Sequence, residues 1–214
     1  MRLRTRIDAY IAGQLGHPAG IVGRMLSKGL NRGNRELIEG AVAALALPPD
    51  AVVADVGFGG GIGLRLLLDG PSAPTVHGVE VSATMISQAQ SQFAEECSAG
   101  RLHIHHGPIT DLPLESTSLD GLITVNTIYF IDDLDSALRE LARTLRSSGR
   151  AVIGIGDPQA MEKMSFTAQG FCLRPVSDIE RAFARAGLEL VDHRRVGKGR
   201  IPAHLLIAAP SAGG

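Results

Sequence analysis

At 214 residues the chain is the size of one α/β domain, and 44% apolar side chains suffice to bury a full core. Twenty-one basic side chains nearly balance 22 acidic ones, which argues against a polyanionic partner such as nucleic acid. No apolar run approaches the roughly 18 residues that span a bilayer, and Asp8, Gln14 and His17 interrupt the apolar N-terminal residues where a signal peptide needs a continuous stretch. With no Trp, two Tyr and six Phe, the core must be mainly aliphatic. Cys97 and Cys172 form no metal or redox spacing and fit free thiols in a reducing cytoplasm.

The first 33 residues are broken into short pieces by Gly13, Gly16, Gly20, Gly23, Gly29 and Gly33, while Ile21, Met25 and Leu26 keep a helical apolar stripe. Two readings stand for this segment: short helices laid over a pocket, or a packed N-terminal extension. Leu37, Ile38, Ala41, Val42 and Leu45 then recur at helical steps, with Asn34 available as N-cap and Pro48, Pro49 and Asp50 closing the helix. Ala51–Val56 is a short apolar run broken only by Asp55, the pattern of a buried parallel strand. A loop at Gly57–Gly63 leads into a helix beginning at Leu64–Leu68, and Thr75–Val81 is a second strand. Ser82 is placed to cap a helix with Met85, Ala89 and Phe93 on one face, ended by Gly100.

Leu102–His105 and Leu119–Val125 read as the third and fourth strands. Asp133 or Asp135 caps a helix carrying Leu138, Leu141, Ala142 and Leu145, expected to end at Gly149 before a fifth strand at Ala151–Ile155. Ile179, Ala182, Phe183 and Ala186 mark a last helix that ends at Gly187. Leu188–His193 and Ala203–Ala209 are too close together for a crossover helix, so they form an antiparallel hairpin. The whole predicts one domain over 1–214: a Rossmann-like, doubly wound α/β fold. Its seven-stranded, mostly parallel sheet carries helices on both faces and an antiparallel C-terminal hairpin.

The strongest motif is Asp55-Val56-Gly57-Phe58-Gly59-Gly60-Gly61-Ile62-Gly63, between a strand and a helix. Glycines there permit a tight turn and let a ligand touch the backbone, and the helix start offers free N–H groups. Glu80, at the end of the second strand, is placed to accept two hydrogen bonds from a ribose diol. Together they imply an adenosine-type ligand at the carboxyl edge of the sheet. The dinucleotide fingerprint would need glycine where Ile62 stands. Asp55 suits a ligand ammonium better than a pyrophosphate.

The segment resembles the first motif of the class I S-adenosylmethionine (SAM)-dependent methyltransferases, an acidic residue followed by alternating glycines. The resemblance continues through Val79-Glu80-Val81-Ser82-Ala83-Thr84-Met85, Leu112-Pro113-Leu114, Ser118-Leu119-Asp120 and Asp135–Arg146, and covers roughly 35–210. It implies SAM as cofactor, held by Asp55, Gly57, Phe58, Gly59, Gly61, Glu80, Val81, Met85, Pro108, Ile109 and Asn126. Family members carry an acidic residue at the position of Pro108; here adenine is expected to rest on backbone near Ile109 and on Met85. Ser147-Ser148-Gly149 replaces the family's usual turn before the fifth strand.

The resemblance also places Asn126-Thr127-Ile128-Tyr129-Phe130 beside the reacting sulfonium. Tyr129 is the candidate catalytic residue, as a positioning group on the substrate side. His103, His105 and His106 follow strand alternation, His77 packs in its strand, and His17, His193 and His204 stand alone; no metal site is expected. Residues 157–170, with Met161, Met164 and Phe166, are an insertion too long for a plain turn and a candidate lid. The expected activity is methyl transfer to a small-molecule acceptor. A SAM-binding protein without catalysis and an NAD-dependent oxidoreductase are the alternatives.

Overall fold

The computed structural model describes residues 34–72, 74–164, 167, 170–197 and 202–211. The expected cap at 1–33, and Phe166 of the expected lid, lie outside them. In chain order the elements are α1 (34–45), β1 (Val52–Val56), α2 (Ile62–Leu68), β2 (Thr75–Glu80), α3 (Ala83–Gln92), α4 (Ala94–Ser98), β3 (Leu102–His106) and β4 (Leu119–Val125). A 3-10 turn (Ile128–Phe130) follows, then α5 (Leu134–Thr144), β5 (Leu145–Gly156), α6 (Pro158–Met161), α7 (Val176–Arg185), β6 (Leu188–Val196) and β7 (Ala203–Pro210). The strands form one seven-stranded sheet in the order β3-β2-β1-β4-β5-β7-β6. β1 to β5 are mutually parallel where they pair, and β7 is antiparallel to both β5 and β6. The chain reverses its direction of growth at β1, so β1 and β4 meet at the switch point where such sheets bind ligands.

Strand alternation divides the core into two layers. Val53, Ile123, Val152 and Leu205 face α1, α2 and α3, against Leu37, Leu64, Leu67, Met85 and Phe93. Their neighbours Ala54, Leu122, Ile153 and Leu206 face α5 and α7, against Leu138, Leu141, Ile179 and Phe183. Apolar side chains on both sides of each central strand explain the continuous apolar runs in the sequence. Among the described residues no helix is long and apolar enough to cross a membrane.

Caps fall where the sequence predicts. Ser82 Oγ accepts from the Met85 N–H (3.4 Å), and Asp133 Oδ1 accepts from the Ser136 N–H (2.9 Å). Two boundaries differ: the helix expected to run from Ser82 to Gly100 breaks at Phe93 into α3 and α4, and α5 stops at Thr144 where β5 begins at Leu145. The pairing runs from Leu119↔Leu145 directly to Gly121↔Arg150, so Arg146–Gly149 bulge opposite Asp120. Asp120 stabilises that bulge by pairing with Arg146 and by accepting from the Val52 N–H (2.8 Å). Gly149 therefore fills a crowded bulge rather than ending a helix; a Cβ there would lie 2.9 Å from the Leu119 carbonyl oxygen.

The histidines expected to act singly form contacts. His77 stacks on His103 and His105, with ring centroids 5.1 and 5.2 Å away, and its Nδ1 lies 2.9 Å from His105 Nε2. Burial, then the neighbouring imidazoles His105 and His103, push His77 down to about 4. The folded state thus prefers this ring neutral. Its stabilising contribution is complete above the ordinary histidine value of 6.5 and is lost as pH falls from there through about 4. The melting temperature of the unaltered chain should fall more steeply between pH 6.5 and 4.5 than that of His77→Gln. Parallel curves would show that the stack carries no proton linkage.

Candidate functional site

The carboxyl ends of β1, β2 and β4 meet around the glycine loop. Gly57 leaves β1 at φ 75°, and its N–H donates to the Val79 carbonyl (2.8 Å). A Cβ on Gly57 would meet Thr127 Oγ1 at 2.5 Å, so the loop can follow this path only without a side chain. Gly59, at φ 49°, has no atom within 4 Å of the corresponding position and borders open space. Gly61 caps α2 at φ 79° and has no side chain of its own to cap the first amides.

Two carboxyl groups stand behind this loop. Asp55 is 4% exposed. The α2 backbone approaches so closely that a Cβ on Gly63 would lie 2.2 Å from Asp55 Oδ2. Burial, then the charge of Glu80, push Asp55 up to about 8, partly offset by a hydrogen bond from the Leu64 backbone. Glu80, 7% exposed, accepts from Gly59 N–H through Oε2 (2.9 Å), and from Val81 N–H (2.8 Å) and Ser82 N–H (3.0 Å) through Oε1. Its orientation is therefore fixed by three backbone donors, one of them in the glycine loop.

The remaining predicted cofactor residues divide into rim and support. Val81 is half-buried beside Glu80, and Pro108 is exposed on the adjoining strand end. Ile109 turns inward at 5% exposure. Phe58, 6% exposed, packs beneath the loop, and a Cβ on Gly78 would lie 3.0 Å from its ring. Met85 is wholly buried (0%). Its side chain belongs to the core under α3 and supports the site from beneath, so the expected adenine-facing surface at Met85 is not there. Asn126 turns the chain out of β4 at φ 56°, its N–H donating to the Gly154 carbonyl (2.8 Å).

Tyr129 is only 3% exposed. Its hydroxyl is bracketed by Gly156: the Gly156 N–H donates to it, and it donates back to the Gly156 carbonyl (3.3 Å). Burial raises the phenol well above its ordinary value. Its ring lies 5.8 Å from Phe171, and Phe130 lies 4.8 Å from Phe171, both partners half-buried. Arg174 fastens this patch, donating to the carbonyls of Ile128 (3.1 Å), Ile131 (2.6 Å) and Asp132 (3.0 Å). Sequence reasoning missed Arg174 and Thr127. No local pattern marks Arg174, since its partners are carbonyls some forty residues earlier; Thr127 had only its place beside the strand end.

Among the described residues no group of three or more His, Cys, Asp or Glu is placed to hold a metal ion. Because Asp55 is raised, the fold prefers it protonated. That contribution is full below the ordinary value of 3.8 and is lost as pH rises through about 8, at a slope of at most about 1.4 kcal/mol per pH unit. In ligand-free protein, the melting temperature of Asp55→Asn should gain on that of the unaltered chain between pH 5 and 8.5. A constant gap would mean that Asp55 carries no such strain.

Known proteins match this arrangement. Residues 54–153 match the methyltransferase domain family. A ubiquinone/menaquinone biosynthesis C-methyltransferase of Geotalea daltonii is 29% identical over 131 residues, 61% of this chain and 54% of that protein. An O-methyltransferase of Penicillium expansum is 25% identical over 146 residues, 65% of this chain and 52% of that protein. The chain thus spans about half the length of these curated relatives. Among solved structures, the fold is shared by a geranyl diphosphate C-methyltransferase from Streptomyces coelicolor (TM-score 0.72, 16% identity, 92% of this chain and 88% of that one). A SAM-dependent methyltransferase from Aquifex aeolicus shares it too (TM-score 0.71, 17% identity, 86% and 97%). Fold, glycine loop and matching sequence agree in likening residues 54–153 to the methyltransferase domain family.

Proposed function

We propose that this chain transfers a methyl group from SAM to a small, largely apolar acceptor bound at the carboxyl ends of β4 and β5. The observation that carries the reading is the buried Glu80 carboxylate fastened to the open Gly59 backbone. Its Oε2 keeps acceptor capacity for a ribose hydroxyl beside a loop with room for the ligand. Asp55 lies behind the loop with a carboxyl group that a ligand ammonium would ionise. Gly57, Gly61 and Asn126 supply backbone for the amino-acid end, and Val81, Pro108 and Ile109 border the adenine side.

Bound SAM supplies an electrophilic methyl group on a sulfonium, and the protein supplies alignment and water exclusion. On the acceptor side, Phe130 and Phe171 present half-buried aromatic surface next to the end of β4. That surface favours a planar or hydrocarbon acceptor, in keeping with the quinone-pathway and O-methyltransferase names of the relatives. Tyr129 acts here as a positioning residue. Its hydroxyl is occupied by Gly156, and its raised pKa makes it no proton acceptor at neutral pH. Residues 157–164 form part of the acceptor enclosure.

SAM at 100 times its dissociation constant should stabilise the chain by about 2.7 kcal/mol, while NAD leaves its melting unchanged. The reading fails if SAM has no effect on correctly folded protein, or if NAD is the ligand that stabilises it. Glu80→Gln should weaken SAM binding by about 1–3 kcal/mol, measured by calorimetry. It should also lower the melting temperature, since one backbone donor then faces an amide NH2; unchanged affinity would remove Glu80 from the ribose site. Tyr129→Phe should cost about 1–2 kcal/mol of stability through the unpaired Gly156 N–H. Labelled methyl transfer to extract acceptors should slow while SAM affinity holds; full transfer would make the ring mere packing.

A further inference from the structure

The four elements at the acceptor side converge on one carboxylate that the cofactor site does not use. Asp157 follows β5, and its N–H donates to the Pro202 carbonyl ahead of β7 (2.7 Å). Its Oδ1 caps α6 by accepting from the Ala160 N–H (2.8 Å). Its Oδ2 lies 3.1 Å from Nε2 of His204 on β7 and 3.5 Å from the Arg195 guanidinium on β6. His204 is 4% exposed. Its other nitrogen, Nδ1, lies 2.8 Å from His193 Nε2, and His193 Nδ1 lies 3.8 Å from Glu180 of α7. The hydrogen bond from His204, then the Ala160 cap, hold the Asp157 carboxyl below the ordinary carboxylate value.

Both nitrogens of a buried imidazole are thus satisfied in one arrangement. Nε2 faces the Asp157 carboxyl group and Nδ1 faces His193 Nε2, with donor and acceptor roles set by the tautomer. The preceding residue, Gly156, is the one that brackets the Tyr129 hydroxyl. Thr167 Oγ1 closes the far end of α6 through the Met161 and Met164 carbonyls (2.8 Å each), and Met161 sits in the core at 8% exposure. The β5–α6 junction is therefore clamped from two directions, by Tyr129 on the β4 side and by the His204–Asp157 pair on the hairpin side.

We infer that His204 is a positioning residue for the acceptor side of the site: through Asp157 it fixes the β5–α6 junction against which the Tyr129 wall is built. This rests on the proposed methyl transfer for its purpose, although the clamp itself can be tested without an acceptor. His204→Phe keeps a ring of similar size and removes both nitrogens. His204→Gln keeps one N–H donor for Asp157. Asp157→Ser keeps a capping oxygen for α6 but cannot reach His204, and supplies the same comparison should His204→Phe not fold.

Hydrogen exchange on the full chain reads the result. In His204→Phe and Asp157→Ser, amides 156–164 should exchange at least about tenfold faster, with β1 and β2 unchanged. His204→Gln should return most of the protection, and the SAM dissociation constant should stay within about twofold in all three, since the junction lies beyond the cofactor loop. Unchanged exchange at 156–164, loss of protection across the whole sheet, or failure of His204→Gln to restore it would overturn the inference. If the clamp behaves as stated while no SAM binds to any of the proteins, the proposed function fails and the positioning of the junction stands.

Discussion

A buried carboxylate at the end of β2 is what the cofactor side of this fold depends on. Glu80 spends three of its acceptor sites on backbone amides, and the Gly59 amide among them belongs to another strand's loop. A charged group at 7% exposure is tolerable only because those donors replace water. Their reward is a loop held at fixed distance from β2, the strand proposed to read the ribose. Asp55 lies close by, and placing it beside Glu80 in the same low-dielectric corner raises it to about 8. The ligand-free site thus prefers an uncharged Asp55, which in the proposed reading a cationic ligand group ionises on binding.

The glycines of the loop follow from the same geometry. Thr127 presses on Gly57 and Asp55 on Gly63, while Gly59 faces open space. The two crowded positions set where β1, β4 and α2 lie relative to each other. The open one leaves a place for a ligand. A motif that reads as one feature in sequence therefore does two jobs in space, packing at its ends and, in the proposed reading, binding at its middle.

Much of this was legible beforehand because period and punctuation are local. Strand runs such as Leu119–Val125, the Ser82 cap and the short link before Ala203 each carry their own signal, and the structure places them as expected. What was illegible depended on contacts between distant segments. The helix end at Thr144 rather than Gly149 is decided by a bulge that Asp120 stabilises from the neighbouring strand. Met85 looked like a cofactor wall because helical spacing says which face it shares, not how deeply that face is buried. His193 and His204 stand eleven residues apart and looked unrelated; the hairpin brings them to 2.8 Å. Tyr129 was found by its place after β4, but its bond to Gly156 belongs to a pairing no local pattern reveals.

Calorimetry in buffers of different ionisation enthalpy distinguishes SAM bound with its ammonium against Asp55 from any other arrangement. Titrating SAM into the unaltered chain and into Asp55→Asn at pH 7 compares the protons released on binding. The unaltered chain should bind with release of up to about one proton more than the variant, since a carboxyl group raised to about 8 must ionise to meet the cation. Absence of SAM binding, or identical proton release and affinity in the two proteins, would contradict it.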